Sequence, residues 1–270
     1  VKPDAPIGIF DSGVGGLTVA RAIRQALPEE HLIYLGDTAR VPYGNKSAET
    51  VVRYAREDAA FLCGHGVKCI VVACNTASAY ALEALKDEFS VPVMGVIEPG
   101  IEAALAAASS RKIGIIGTVG TIGSGAYQSA LQDGRSGLDV RAVATPLLVP
   151  LVEEGRVDGP VARMIVEDYL QPLLDEGMDT LVLACTHYPL LLPLLEEMVG
   201  DRVQLIDSAS TCANRLKHHL GERGERRGAG EEGRLDLYLT DVQDHSSGFI
   251  VRFLGPPAPV LQLARVEAGS

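Results

Sequence analysis

The sequence predicts an α/β fold of two similar doubly wound parallel-sheet domains, related by internal duplication, with an active site in the cleft between them. Three observations predict it. Short uninterrupted apolar runs alternate with helical stretches, as in buried parallel strands joined by crossover helices. One stretch occurs twice, as Cys69-Ile70-Val71-Val72-Ala73-Cys74-Asn75-Thr76 and Thr180-Leu181-Val182-Leu183-Ala184-Cys185-Thr186-His187. Corresponding points also stay 106 to 112 positions apart, pairing Ile7 with Ile113, Pro42 with Pro150, Cys74 with Cys185 and Val91 with Val203.

Taken in order, Ile7 to Phe10 reads as a strand ending in Asp11-Ser12-Gly13-Val14-Gly15-Gly16, with a helix from Leu17 to about Leu27. The glycines allow a tight turn and close approach of a ligand to the helix N-terminus, whose free N–H groups favour anions. His31 to Leu35 is a second strand, leading into a polar loop from Gly36 to Gly44. Ser47 is placed to cap a helix through about Cys63, closed near Gly64 and Gly66. The Cys74 stretch is strand three; a helix to Phe89 and a strand at Val91–Val96 follow, then an Ala-rich helix from Glu98 to Ala108.

The pattern then restarts. Lys112 to Ile116 is a strand, with a helix from about Ser124 to Leu131. Leu138 to Ala144 is a strand, Thr145 to Gly155 a segment holding Pro150 and Glu153-Glu154, and Val157 to Glu176 a helix. The Cys185 stretch, a helix from about Leu190 to Val199 and a strand from Val203 to Asp207 complete the second copy. After a helix at Ala209–Leu220 comes a charged, Gly-rich loop from Gly221 to Gly233, expected to be mobile. A strand at Leu235–Thr240, a helix at Ser247–Leu254 and an edge strand at Val260–Val266 form a tail too small for a third domain. It is expected to return to the first domain and enlarge its sheet. The first domain is therefore expected over residues 1–97 plus 209–270, and the second over 98–208.

Composition narrows the function. The chain has 270 residues, 47% of them hydrophobic, and a formal net charge of −11. That charge argues against a nucleic-acid or anionic-membrane partner, since either wants a basic face. No apolar run reaches the length of a membrane span, and Val1-Lys2-Pro3-Asp4 lacks a signal peptide's apolar core. Five cysteines with no C-x-x-C pair read as reduced thiols in the cytoplasm. The Cys and His residues show no paired spacing for a metal.

The chemistry is expected where the repeated strands end, because ligands of open α/β sheets bind at the carboxyl ends of strands. Inverting an amino acid at Cα needs a base on one face and an acid on the other, and the two swap roles in the reverse direction. Cysteines at equivalent places of a duplicated fold meet that symmetry, and a thiol's ordinary pKa of about 8.5 can be lowered by a helix N-terminus. Cys63, Cys69 and Cys212 read instead as small buried hydrophobes. Asp11 either holds an ammonium group or orients a base, or is simply a turn residue. His187 stands where it can polarise Cys185. Glu153 or Glu154 faces the cleft, unless both begin a solvated helix. Asn75, Thr76, Thr118, Thr121 and Thr186 are candidates for binding substrate carboxylates, or else caps and turns.

Ile9 to Leu17, Val41-Pro42-Tyr43-Gly44, Val72 to Ser78 and Ala184 to Leu190 together resemble the bacterial glutamate racemases, in order from about residue 7 to residue 255. The resemblance implies interconversion of L- and D-glutamate without a cofactor or metal, supplying D-glutamate for peptidoglycan, often in a homodimer. It implies Cys185 as the base for L-glutamate and Cys74 for D-glutamate, assisted by Asp11, His187 and Glu153. Substrate contacts are implied for Asp11, Ser12, Pro42, Tyr43, Gly44, Asn75, Thr76, Thr118, Thr186 and His187. Three other readings stand beside it. They are a dinucleotide-binding oxidoreductase using Gly13-Val14-Gly15-Gly16 and Asp37, a two-lobed binder of acidic amino acids, and a redox thiol protein.

Overall fold

The computed structural model describes residues 2–228, 230, 232–242, 246–257 and 259–266. Its ten strands are β1 (Ile7–Asp11), β2 (Leu32–Gly36), β3 (Cys69–Val72), β4 (Val93–Gly95), β5 (Lys112–Gly117), β6 (Asp139–Ala144), β7 (Thr180–Ala184), β8 (Gln204–Asp207), β9 (Leu235–Leu239) and β10 (Leu261–Leu263). The helices are α1 (Leu17–Ala26), α2 (Ala48–Gly64), α3 (Asn75–Glu88), α4 (Ile97–Ala107), α5 (Val119–Gly123), α6 (Ala126–Gly134), α7 (Leu148–Glu153), α8 (Gly159–Asp175), α9 (Leu192–Val199), α10 (Ser208–Glu222) and α11 (Ser246–Leu254).

They form two sheets with wholly parallel pairing, ordered β10-β9-β2-β1-β3-β4 and β6-β5-β7-β8. The order β2-β1-β3-β4 in one matches β6-β5-β7-β8 in the other. The register matches too. Ile7 lies opposite Leu32 and Cys69, and Ile113 opposite Val140 and Thr180. Each catalytic-candidate cysteine follows its strand by the same distance from that pairing, so the duplication read in the sequence is present in the fold.

Helices cover both faces of each sheet, which is why the strands are apolar throughout. On the first sheet, Phe10, Ile33, Leu35, Ile70 and Val72 pack with α2 and α3. Ile7, Ile9, Tyr34 and Val71 face α1 and α10 in a core that continues to Leu181, Leu183 and α9 of the second. Ile113, Ile115 and Val182 face α4 and α6. The tail returns to the first sheet as expected, with β9 beside β2 and β10 at the edge.

Several expected elements are redrawn. The segment from Thr145 to Gly155 contains helix α7, because Pro150 falls in its first turn, where a missing N–H costs nothing. The helix expected from Ser124 starts instead at Ala126, after the short α5; Gly125 in the left-handed region (φ +71°) separates them. The helix expected from Leu190 opens with a 3-10 turn at Tyr188–Leu191. The loop from Gly36 to Gly44 holds a 3-10 turn at Thr38–Arg40 and the start of another at Tyr43–Asn45. Ser47 caps α2 as expected, accepting from Thr50 N.

In the charged insert, Ala229 and Glu231 lie outside the described residues. Much of the rest is tied to the body. The buried Lys68 ammonium donates to Glu30 (2.6 Å) and to the Glu225 carbonyl (2.9 Å), Arg227 N donates to Glu30, and Gly233 N to Pro28 O. Charge-rich composition read as mobility because the partners, Lys68 and Glu30, lie far away in sequence. Among the described residues no helix is long and apolar enough to cross a membrane.

Candidate active site

The first cysteine is set by β3 and α3. Ala73 N still bonds Phe10 O, and the next residue, Cys74, caps α3, its Sγ accepting from Ala77 N at 3.4 Å. Its thiol donates to Ser12 Oγ at 3.7 Å. Burial pushes the Cys74 thiol up to about 12; the Asp11 carboxylate adds to this, while the Ala77 N–H and Ser12 pull the other way. Cys74 therefore rests as a protonated thiol.

Asp11 ends β1, fully buried, accepting from Gly13 N (3.0 Å) and lying 3.5 Å from Thr186 Oγ1. Burial raises its pKa, opposed by the charge of His187 and by backbone N–H groups. It stands behind the site, not among the residues that line the cavity.

The second cysteine ends β7 the same way but opens a 3-10 turn, with Tyr188 N bonding Cys185 O. Its Sγ faces the His187 Nδ1 at 3.8 Å, and His187 Nε2 meets Glu153 Oε1 at 3.1 Å. Burial lowers the His187 pKa, but hydrogen bonds and charge from Cys185 and Glu153 outweigh it and lift the ring to about 10. A cationic imidazole is the neighbour a thiolate base needs. Glu153, at the end of α7, is the acid that reaches the histidine, while Glu154 is exposed.

Two glycines let the halves meet. A Cβ on Gly15 would stand 2.4 Å from both His187 Cε1 and Thr186 Oγ1, so the glycine-rich turn makes room for the other sheet's loop. At Gly15 the space is taken by the other sheet's loop, while Gly13 lines the cavity, where a ligand can approach closely. A Cβ on Gly44 would likewise strike Thr118, at 2.8 Å. Thr18 Oγ1 donates to Thr186 O (2.8 Å), fastening α1 to the Cys185 turn.

Both cysteines line one cavity, partly open to solvent. Ser12, Pro42, Tyr43, Gly44, Asn75, Thr76, Thr118, Glu153, Thr186 and His187 also line it. Thr121 does not. It is fully buried, donates its N–H to Thr118 Oγ1, and its hydroxyl lies 3.0 Å from that of Thr76. Tyr43 contributes its body only, since its hydroxyl is turned to Asp37 (2.5 Å) and Asp58 (3.0 Å). Asn75 is held from behind by Tyr127 (2.7 Å) and Ser208 (3.2 Å). Sequence reasoning missed Tyr127, which is a helix residue with no motif around it, and Val149, which faces the cavity from α7. Among the described residues no group of three or more His, Cys, Asp or Glu could hold a metal.

Comparison with known proteins agrees with this geometry. A family model described as Asp/Glu/Hydantoin racemase matches residues 12–216. A glutamate racemase of Aquifex aeolicus is 51% identical over 249 residues, covering 92% of this chain and 94% of that protein. A glutamate racemase isoform of Bacillus anthracis superposes with a TM-score of 0.92 at 39% identity, covering 97% and 98% of the two chains. A Francisella tularensis glutamate racemase solved with D-glutamate gives 0.91 at 32% identity, covering 99% and 100%. With two cysteines on one cavity of a duplicated parallel fold, the chain belongs to the glutamate racemase family within the Asp/Glu/hydantoin racemases, and is an amino-acid racemase.

Proposed function

We propose that the protein interconverts L- and D-glutamate by a two-base mechanism, with Cys185 taking the Cα proton of L-glutamate and Cys74 that of D-glutamate. The observation that carries the reading is that both sulfurs line one cavity from equivalent strand ends. A substrate Cα between them has an acid on one face and a base on the other.

The resting protonation supports one direction of travel. Cys74 is held as a thiol, ready to donate, and Cys185 lies beside the cationic His187, the neighbour that favours a thiolate. Each turnover exchanges the two roles, and solvent restores them. Glu153 keeps His187 charged and oriented, and the Asp11 carboxyl sits buried behind the Cys74 side. The N-terminal N–H groups of α3 and the hydroxyls of Ser12, Thr76, Thr118 and Thr186 are suited to carboxylates. Glutamate as substrate is supported by the relatives, one of them solved with D-glutamate.

On this reading the D-glutamate supplies peptidoglycan, the protein works in the cytoplasm, and two copies assemble as a homodimer. Residues 1–97 with 209–270 act as one lobe and 98–208 as the other. The test is circular dichroism of L-glutamate with purified protein in D2O, without added cofactor, followed by NMR of Cα. Decay of the signal to zero with deuterium at Cα is expected. An unchanged signal with reduced thiols would refute the reading, and retained ellipticity with tight glutamate binding would favour the two-lobed binder.

A further inference from the structure

The pair that serves Cys185, His187 with Glu153, rests on a short support. Helix α7 has six residues, too few to hold its own orientation, since isolated helices below about 12–15 residues are marginal. Glu153 is its last residue, so the carboxylate is only as well placed as the helix end.

The carbonyls of that end can be followed one by one. Pro150 O accepts from Glu154 N, Leu151 O from Arg156 N, and Val152 O from Gly155 N. Glu153 O accepts from Arg252, a residue about 100 positions away on α11. The same Arg252 Nη1 lies 3.2 Å from Val152 O. The next residue, Phe253, is fully buried and packs edge-on against the His187 ring, at 5.1 Å and 82°. Two adjacent residues of α11 thus touch both members of the pair. A guanidinium is suited to this place, as a helix C-terminus favours a cation.

We propose that Arg252 is a positioning residue for the Cys185 half of the reaction, with Phe253 as its buttress. Arg252 closes the end of α7 and so holds Glu153 against His187, and Phe253 stops the ring from turning away. Helix α11 belongs to the tail that follows β9, and it packs on α1 and so on the first sheet. The inference deepens the two-base reading and depends on it for its catalytic consequence.

The test uses Arg252→Ala and Arg252→Lys in the full chain. Racemisation is measured alongside the His187 pKa by NMR of the imidazole. The charged and titratable groups facing His187 are Glu153, Cys185 and Asp11, while Arg252 lies one step further out, on the carbonyls of Val152 and Glu153. Deleting a nearby cation by itself raises the ring's pKa, whereas losing the Glu153 contact lowers it, so the sign separates the two causes. Arg252→Ala is expected to lower the His187 pKa and to cut kcat about ten- to a hundredfold, with KM changed far less. Arg252→Lys, which still donates to the carbonyls, is expected to recover most of both, and it serves alone if the alanine variant does not fold. A His187 pKa that is unchanged or raised, or a wild-type kcat in Arg252→Ala, overturns the proposal. So does a lysine variant with the kcat and the His187 pKa expected for alanine. Wild-type protein inert on glutamate would instead sink the functional reading, leaving the pKa measurement to judge Arg252.

Discussion

The two cysteines end equivalent strands, yet their surroundings differ. Cys74 begins an α-helix, caps it with its own sulfur and is backed by a buried carboxylate, Asp11. Cys185 begins a 3-10 turn and faces an imidazole that a second carboxylate, Glu153, keeps charged. Duplication supplied the symmetry that inversion needs, and divergence of the residue two positions after each cysteine, Thr76 against His187, broke it. The lesson is that equivalent strand ends hold the two thiols in unlike electrostatic surroundings, Cys74 beside a buried carboxyl and Cys185 beside a cation.

The comparison breaks most sharply if either thiol is removed. Cys74→Ala and Cys185→Ala are each expected to lower racemisation by at least about 10²–10⁴-fold, the usual worth of a positioned acid or base. Each should retain one-sided chemistry on a glutamate analogue carrying a leaving group, because one base remains. Near wild-type racemisation in either variant would mean that the site does not use two thiols.

His187→Asn strikes one side only, with an expected loss of about ten- to a hundredfold, below that of either thiol. It also sharpens the comparison through stability. The His187 pKa is raised in the fold from 6.5 to about 10, so its contribution is whole below about pH 6.5 and is lost as pH rises through about 10. The Cys74 pKa is raised from 9.0 to about 12, so the folded state loses stability as pH rises from about 9 through about 12. Denaturant unfolding across pH should show His187→Asn flattening the lower window and Cys74→Ala the upper. A slope that both variants leave unchanged would contradict these assignments.

The smallest expected effect tests how the halves meet. Gly15→Ala places a methyl within 2.4 Å of His187 and Thr186, and should cost about 1–3 kcal/mol of stability. A Cβ at Gly123 meets nothing within 4 Å, so Gly123→Ala should stay within about 0.5 kcal/mol. Equal melting temperatures for the two variants would show that the interface at Gly15 yields easily.

Much of this was legible in the sequence because the information was local or repeated. The apolar runs marked the strands, and the recurrence of Ala-Cys at a near-constant offset marked the duplication and both sulfurs. Position within a helix was harder to read. The segment from Thr145 to Gly155 carried no element assignment, and only the fold places Pro150 in the first turn of α7 and Glu153 at its end, within reach of His187. Tyr43 was legible as part of the site, but its hydroxyl direction was not, since Asp37 and Asp58 come from separate elements. Arg252 and Phe253 lie about 100 and 66 positions from the groups they touch, and no spacing rule links them. Tertiary contacts of this kind leave no periodic trace in one sequence.

The most direct test of the two-base account is where deuterium goes first. Protein is mixed with L-glutamate in D2O, and both enantiomers are separated in the first few per cent of turnover for NMR of Cα. The account predicts deuterium in the newly formed D-glutamate, because Cys74 delivers a solvent-derived proton while Cys185 keeps the one it removed. Newly formed D-glutamate that retains protium at Cα would mean that one group both removes and returns the proton, contradicting the account.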